Sequence, residues 1–194
     1  MNHLKNHVSL QMLLQAYPFN ISAQSALVSL ILVMQLKSPK IISNINILKP
    51  LVESVRQKNK TVVFTNGCFD IIHPGHIYIL QQAKAKGDIL IIGLNSDSSI
   101  KSFKSPNRPV CPQEDRAFVL ASLSCVDYVI IFDEDTPERL IVEISPDVLV
   151  KGKDYEGKFI SGADHIRANG KKIELVDLIN GKSTSGIIER IKKN

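Results

Sequence analysis

His73 and His76 stand three residues apart around the pair Pro74-Gly75, in the run TNGCFDIIHPGH that follows a short apolar segment. If a helix opens there, this offset projects both imidazoles from one side of its first turn. They then lie beside backbone N–H groups with no helical acceptor, at the positive end of the helix dipole. Pro74 presets φ for a helix start, and Gly75 lets a bulky group approach the main chain. Upstream, Gly67 allows a sharp turn where the apolar segment ends, and Asp70 can accept backbone N–H bonds in the loop. Backbone donors, two imidazoles and no blocking side chain make a place for a phosphate. Two other readings stay open on residue types alone. Cys68, His73 and His76 are three potential zinc ligands, without a fourth nearby or a standard structural spacing. The histidines can also be ordinary loop residues.

Five further groups offer related chemistry. Asn95-Ser96-Asp97 follows a second apolar run and offers short polar side chains to a ligand at a strand end, or serves as a turn or helix cap. Lys101, Lys104 and Arg108 lie in a Ser- and Pro-containing stretch that reads as a basic loop able to meet an anion, and equally as a solvated surface loop. Arg116 begins a helix after Pro112, and its planar fork suits a phosphate or a carboxylate. In VKGKDY, Gly152 permits close approach of a ligand, and Lys151 and Asp154 are candidate contacts to phosphate or ribose. Finally Lys182-Ser183-Thr184-Ser185 precedes the last helical stretch, where hydroxyls and free N–H groups make either a second anion site or a plain cap.

Positioning these groups requires a scaffold, and the hydrophobic pattern supplies one. Apolar runs rich in Val and Ile recur at Thr61–Thr65, Ile89–Leu94, Tyr128–Phe132, Asp147–Val150 and Ile173–Val176, as in strands buried on both faces. Helical stretches are predicted over Ile45–Asn59 with Pro50 near its first turn, Ile77–Lys86 stopped by Gly87, Gln113–Ser124, Pro137–Ile144 capped by Thr136, Gly162–Asn169 and Thr184–Lys192. This alternation predicts an α/β fold: a Rossmann-like, mainly parallel sheet with helices on both faces. Such sheets bind ligands at the carboxyl ends of their strands, where the unusual residues fall.

Composition excludes several classes. At 194 residues, 44% hydrophobic and 22% charged, the chain can bury a core and is not disordered throughout. The net charge of +5 is concentrated early: residues 1–49 hold Lys5, Lys37, Lys40 and Lys49 and no acid, leaving 24 − 4 = 20 cations against 19 acids, or +1, for the rest. A basic nucleic-acid face is therefore not expected. Three cysteines without a CxxC pair read as reduced thiols of a cytoplasmic protein. The uncharged run Ile21–Leu36 is sixteen residues long, short of a membrane span and without a signal-peptide cleavage pattern. No stable membrane association is expected; a helix packed on the body or a partner, or the stub of an upstream domain, fits better. The organisation expected is an apolar extension over 1–45 and one folded body over 46–194.

HPGH, with GCFD ahead of it, resembles the HxGH signature of the nucleotidyltransferase superfamily. The ordered segments TNGCFDIIHPGH, NSDSSIKSFKSPNRPV, DRAFVLASLSCVDYVIIFDEDTPERLI, PDVLVKGKDY and STSGIIERI are most similar to the adenylyltransferase half of ADP-heptose synthase, over about residues 50–192. Glycerol-3-phosphate cytidylyltransferase is the alternative. Its final motif typically carries an arginine where this chain has Leu178 in DLINGKSTSG, which favours the heptose branch.

The resemblance implies transfer of AMP from ATP to D-glycero-β-D-manno-heptose 1-phosphate, giving ADP-heptose and pyrophosphate for the lipopolysaccharide core. It implies that His73 and His76 contact the α-phosphate, that Lys104 neutralises triphosphate oxygens, and that Ser183, Thr184 and Ser185 meet the β- and γ-phosphates. It further implies nucleotide contacts from Asn66, Gly67, Cys68, Phe69, Gly75, Asn95, Asp97, Arg116, Lys151, Gly152 and Asp154. No carboxylate cluster would cage a metal by itself, so Mg²⁺ is expected to arrive with ATP. A separate sugar kinase and a homodimer are the expected partners. A nucleotide-binding module without catalysis is the reading from another class.

Overall fold

The computed structural model describes residues 38–105 and 107–193. The apolar run Ile21–Leu36 lies outside the described residues. Six strands form one parallel sheet: β1 Ile41–Ile42, β2 Val62–Gly67, β3 Ile89–Asn95, β4 Tyr128–Phe132, β5 Val148–Gly152 and β6 Lys172–Val176, in the order β1-β4-β3-β2-β5-β6. Every pairing is parallel, with Asn66 opposite Gly93, Asn95 opposite Phe132, and Gly152 opposite Val176 at the carboxyl ends. The order reverses between β2 and β5, which is where a crevice opens in such sheets. The sheet takes in Ile41–Ile42, ahead of the boundary set at residue 46, because the β1 edge adds to β4.

The helices are α1 Ile45–Arg56, α2 Pro74–Lys84, α3 Asp97–Phe103, α4 Gln113–Ser122, α5 Glu138–Ile144, α6 Ala163–Ala168 and α7 Thr184–Lys193, with a 3-10 turn at Lys153–Tyr155. Alternate strand residues feed two apolar layers. Val62, Phe64, Ile91, Ile130 and Leu149 pack with α1, α5 and α6, whereas Val63, Leu90, Ile92, Val129 and Val150 pack with α2 and α4. Strands with both faces covered explain why the apolar runs are continuous rather than alternating.

Local chemistry departs from expectation in four places. Pro50 lies in the second turn of α1, not its first; Asn46 and Pro50 are both exposed, so water can serve the carbonyl that loses its helical donor. Gly87 does not close α2 in a left-handed conformation; a Cβ there would sit 2.6 Å from Val63 and 2.9 Å from the Thr61 carbonyl, so it permits close packing on β2. Thr136 does not cap α5, since Pro137 occupies the cap position without a side-chain bond. The stretch around Lys101 is helical: Ser96 caps α3 by accepting the Ser99 N–H at 3.1 Å, and Lys104 is its C-terminal cap residue.

Candidate active site

The loop from β2 into α2 is built around three backbone requirements. Gly67 ends the strand where a Cβ would press on the Phe69 ring at 3.2 Å. Phe69 holds a positive φ of 46°, uncommon for a bulky residue, and sets its ring 5.2 Å from that of His76. His73 is extended at the cap position of α2, and its Nδ1 accepts from the His76 N–H at 3.4 Å. The two imidazoles stack with centroids 3.7 Å apart at 20°. Gly75 makes that possible, because a Cβ would lie 3.0 Å from the His73 ring and 3.3 Å from Lys182 Cβ.

Both imidazoles are held neutral. Desolvation is the main cause of the low pKa of His73, with Lys182 adding to it. His76 is pushed down to about 4 by burial, then by His73 and Lys104. Its Nδ1 is buried with no hydrogen-bond partner among the described residues. At neutral pH the pair can therefore offer N–H donors without carrying charge into the stack.

A cavity of about 520 Å³ lies at the switch point. His76, Lys104, Asn66, Gly67, Cys68 and Phe69 line it, joined by Asn95, Lys151, Asp154 and Thr184. Thr184 donates from Oγ1 to the Ile71 carbonyl at 3.4 Å, so the mouth of α7 is tied to the loop that opens α2. Ser183 Oγ accepts the Gly186 N–H at 3.1 Å, as a cap. His73, Gly75 and Gly152 stand behind the lining. A Cβ on Gly152 would come within 2.4 Å of the Asp154 carboxylate, so this glycine shapes the turn rather than the wall. Ser185 is exposed and outside the cavity.

Arg116 and Asp97 are not brought into the cavity. Arg116 is 1% exposed and donates to the carbonyls of Cys111 (2.9 Å), Cys68 (2.5 Å) and Asn95 (2.9 Å) and to the Asp97 carboxylate (2.7 Å). It pins three loops together from beneath, in place of the phosphate contact expected of it. The cavity also uses Phe103, Asp135, Tyr155 and Phe159, for which the sequence suggested no contact, together with Asp70 and Arg108 from the loop and the basic stretch. Asp70, 2% exposed, accepts from Arg108 Nε at 2.5 Å and from the Val110 and Cys111 N–H groups at 2.7 and 2.9 Å. This straps the segment after Lys104 to the β2 loop. No group of three or more His, Cys, Asp or Glu placed to hold a metal occurs among the described residues. Among them, too, no helix is long and apolar enough to cross a membrane.

Comparison with known proteins places this geometry in context. The model of the cytidylyltransferase-like family matches residues 64–188. The bifunctional protein HldE of Helicobacter pylori strain Shi470 is 50% identical over 172 residues, covering 89% of this chain and 35% of that protein. The bifunctional protein HldE of Campylobacter concisus strain 13826 is 55% identical over 146 residues, covering 75% and 30%. The chain spans about a third of the length of these curated relatives. The crystal structure of the lipopolysaccharide core biosynthesis protein from Thermoplasma volcanium GSS1 superposes with a TM-score of 0.51 at 26% identity, over 63% of this chain and 99% of that one. A pantoate-beta-alanine ligase from Francisella tularensis, complexed with beta-gamma ATP and beta-alanine, shares the fold at a TM-score of 0.54 and 15% identity, over 81% and 80% of the two chains.

Proposed function

The chain belongs to the cytidylyltransferase-like family, and from that premise we propose that it transfers AMP from ATP to D-glycero-β-D-manno-heptose 1-phosphate, giving ADP-heptose and pyrophosphate. The observation that carries this reading is the meeting of two helix mouths in one cavity, His76 from α2 and Thr184 from α7, with Lys104 at the rim. A triphosphate laid between them meets imidazole and hydroxyl donors and a cation near the leaving pyrophosphate. An oxygen of the acceptor phosphate attacks the α-phosphorus, a new P–O bond forms, and the bond to the β-phosphate bridge breaks. No side chain needs to carry the adenylyl group on the way, so catalysis is positioning plus stabilisation of charge. Neutral His76 can donate an N–H to an α-phosphoryl oxygen. The described residues offer no cage for a metal, so a Mg²⁺ that accompanied the nucleotide would supply charge neutralisation at the phosphates without a protein ligand set.

Support for the sugar comes from motif order and Leu178, from about 50% identity to bifunctional HldE proteins, and from likeness to a lipopolysaccharide core biosynthesis protein. A sugar kinase supplying the 1-phosphate, a homodimeric assembly and a cytoplasmic location belong to the same proposal. A substrate panel scored for pyrophosphate tests it, with ATP and CTP each offered with both heptose 1-phosphate anomers and with glycerol 3-phosphate. Release with ATP and the β-anomer is the expected result. Faster release with CTP and glycerol 3-phosphate would move the chain to the cytidylyltransferase branch, and nucleotide binding without turnover would leave a non-catalytic module.

A further inference from the structure

The cavity contains three described cations that differ in how their charge is met. Arg108 is ion-paired with Asp70 at 2.5 Å. Lys104 is exposed on the rim and acts electrostatically on His76. Lys151, the next-to-last residue of β5, is 6% exposed and forms no ion pair among the described residues. Its ammonium donates to Asn66 Oδ1 across the β2–β5 switch point and lies 5.1 Å from the centre of the Tyr155 ring. An amide oxygen and a π face solvate a cation without neutralising it. Asp154, three residues on, favours its charged form electrostatically without forming an ion pair with it. A buried ammonium without an ion-pair partner is costly, and this one lines the polar cavity at the switch point, where sheets of this kind bind ligands.

We propose that Lys151 and Asn66 form the subsite for the acceptor's phosphate, the nucleophile in the AMP transfer; this rests on the reading above. Two anionic substrates need two anion poles, and the cavity has them. One is the His76–Lys104–Thr184 pole at the helix mouths. The other is Lys151, at the carboxyl end of β5 with its ammonium on Asn66 Oδ1. Tyr155 and Phe159, both on the cavity wall beyond β5, give the carbon skeleton of a sugar an apolar surface next to that ammonium. The step needs no proton from the lysine: the phosphate oxygen becomes the bridging oxygen of the product and pyrophosphate takes the displaced electron pair.

The test compares Lys151→Met, which keeps the stem and loses the charge, with Lys151→Arg. In steady-state assays KM for the sugar 1-phosphate should rise at least ten-fold in Lys151→Met while KM for ATP stays within two-fold, and Lys151→Arg should recover part of the loss. Calorimetric titration with inorganic phosphate in the presence of a non-hydrolysable ATP analogue reads the same subsite without turnover. Wild-type affinity should fall above about pH 8, where burial brings the Lys151 pKa, and the Arg variant should lack that limb. Lys151→Met should melt no lower than wild type, since a buried charge is replaced by an isosteric apolar chain. Unchanged phosphate affinity in Lys151→Met, or a matching loss of affinity for the ATP analogue, overturns the subsite. Failure of the wild type to use any sugar phosphate overturns the functional reading instead, and the phosphate titration still decides the role of Lys151.

Discussion

His76 can be replaced with little disturbance to the rest of the chain, because its ring packs on Phe69 and His73 but its Nδ1 bonds nothing. His76→Asn should therefore lower kcat about 10²–10³-fold, the scale of one lost transition-state donor, while far-UV dichroism and the melting profile stay near wild type. Turnover within a few-fold of wild type would remove the histidine from the chemistry. Arg116 behaves in the opposite way. Truncating it in Arg116→Met strands the carbonyls of Cys68, Asn95 and Cys111 and the Asp97 carboxylate, and should cost about 3–5 kcal/mol, read as a shift of the urea midpoint. These two residues also mark where sequence reading succeeds and stops. The pair at 73 and 76 is legible because its spacing and the Pro-Gly between them carry local geometry. Arg116 is not, because a helix-start arginine looks the same whether it faces a ligand or three carbonyls brought from positions 48, 21 and 5 residues away.

At the level of elements, parallel strands buried on both faces announce themselves as continuous apolar runs, and the five long strands fall within two residues of their predicted bounds. The misses are short or polar. The two-residue β1 has no periodicity to read, and α3 is a seven-residue helix written in Asp, Ser and Lys, residues that also write turns. That helix matters, since it delivers Lys104 as a cap residue rather than on a free loop, and Asp70 then ties down the chain that follows. Asp70→Asn removes the charge that pairs with Arg108 but keeps one oxygen for the Val110 and Cys111 N–H groups. It should raise KM for ATP about ten-fold with a smaller change in KM for the acceptor, because the proposed triphosphate pole includes Lys104 and the strap that follows it; equal changes in both would argue against that division. Gly75→Ala should separate the stacked imidazoles through its 3.0 Å clash with His73 and lower kcat more than it lowers stability. A folded, fully active Gly75→Ala enzyme would show that the stack is dispensable.

For the molecule as a whole, the cavity trades stability for anion recognition, and pH separates the two halves of that trade. His76 has a folded pKa near 4 against 6.5 in the unfolded chain, so the unfolded state binds the extra proton between these values. Stability from this group is complete above pH 6.5 and is lost as pH falls toward 4. Lys151 is likewise depressed, to about 8 from 10.5, so its penalty is fully present below pH 8 and relieved as pH rises to 10.5. Each effect is on the order of 3 kcal/mol from a pKa displacement of about two and a half units. Denaturant midpoints measured from pH 4 to 10.5 should therefore show the His76→Asn minus wild-type difference changing only below pH 6.5. The Lys151→Met minus wild-type difference should change only above pH 8. An ATP analogue bound at the His76 pole should flatten the acid limb, because a phosphate favours the imidazolium and draws its pKa back up, and it should leave the alkaline limb in place. Phosphate added on top should then flatten that limb too. If the nucleotide alone abolishes both limbs, its phosphates reach Lys151 and the cavity has one anion pole, not two.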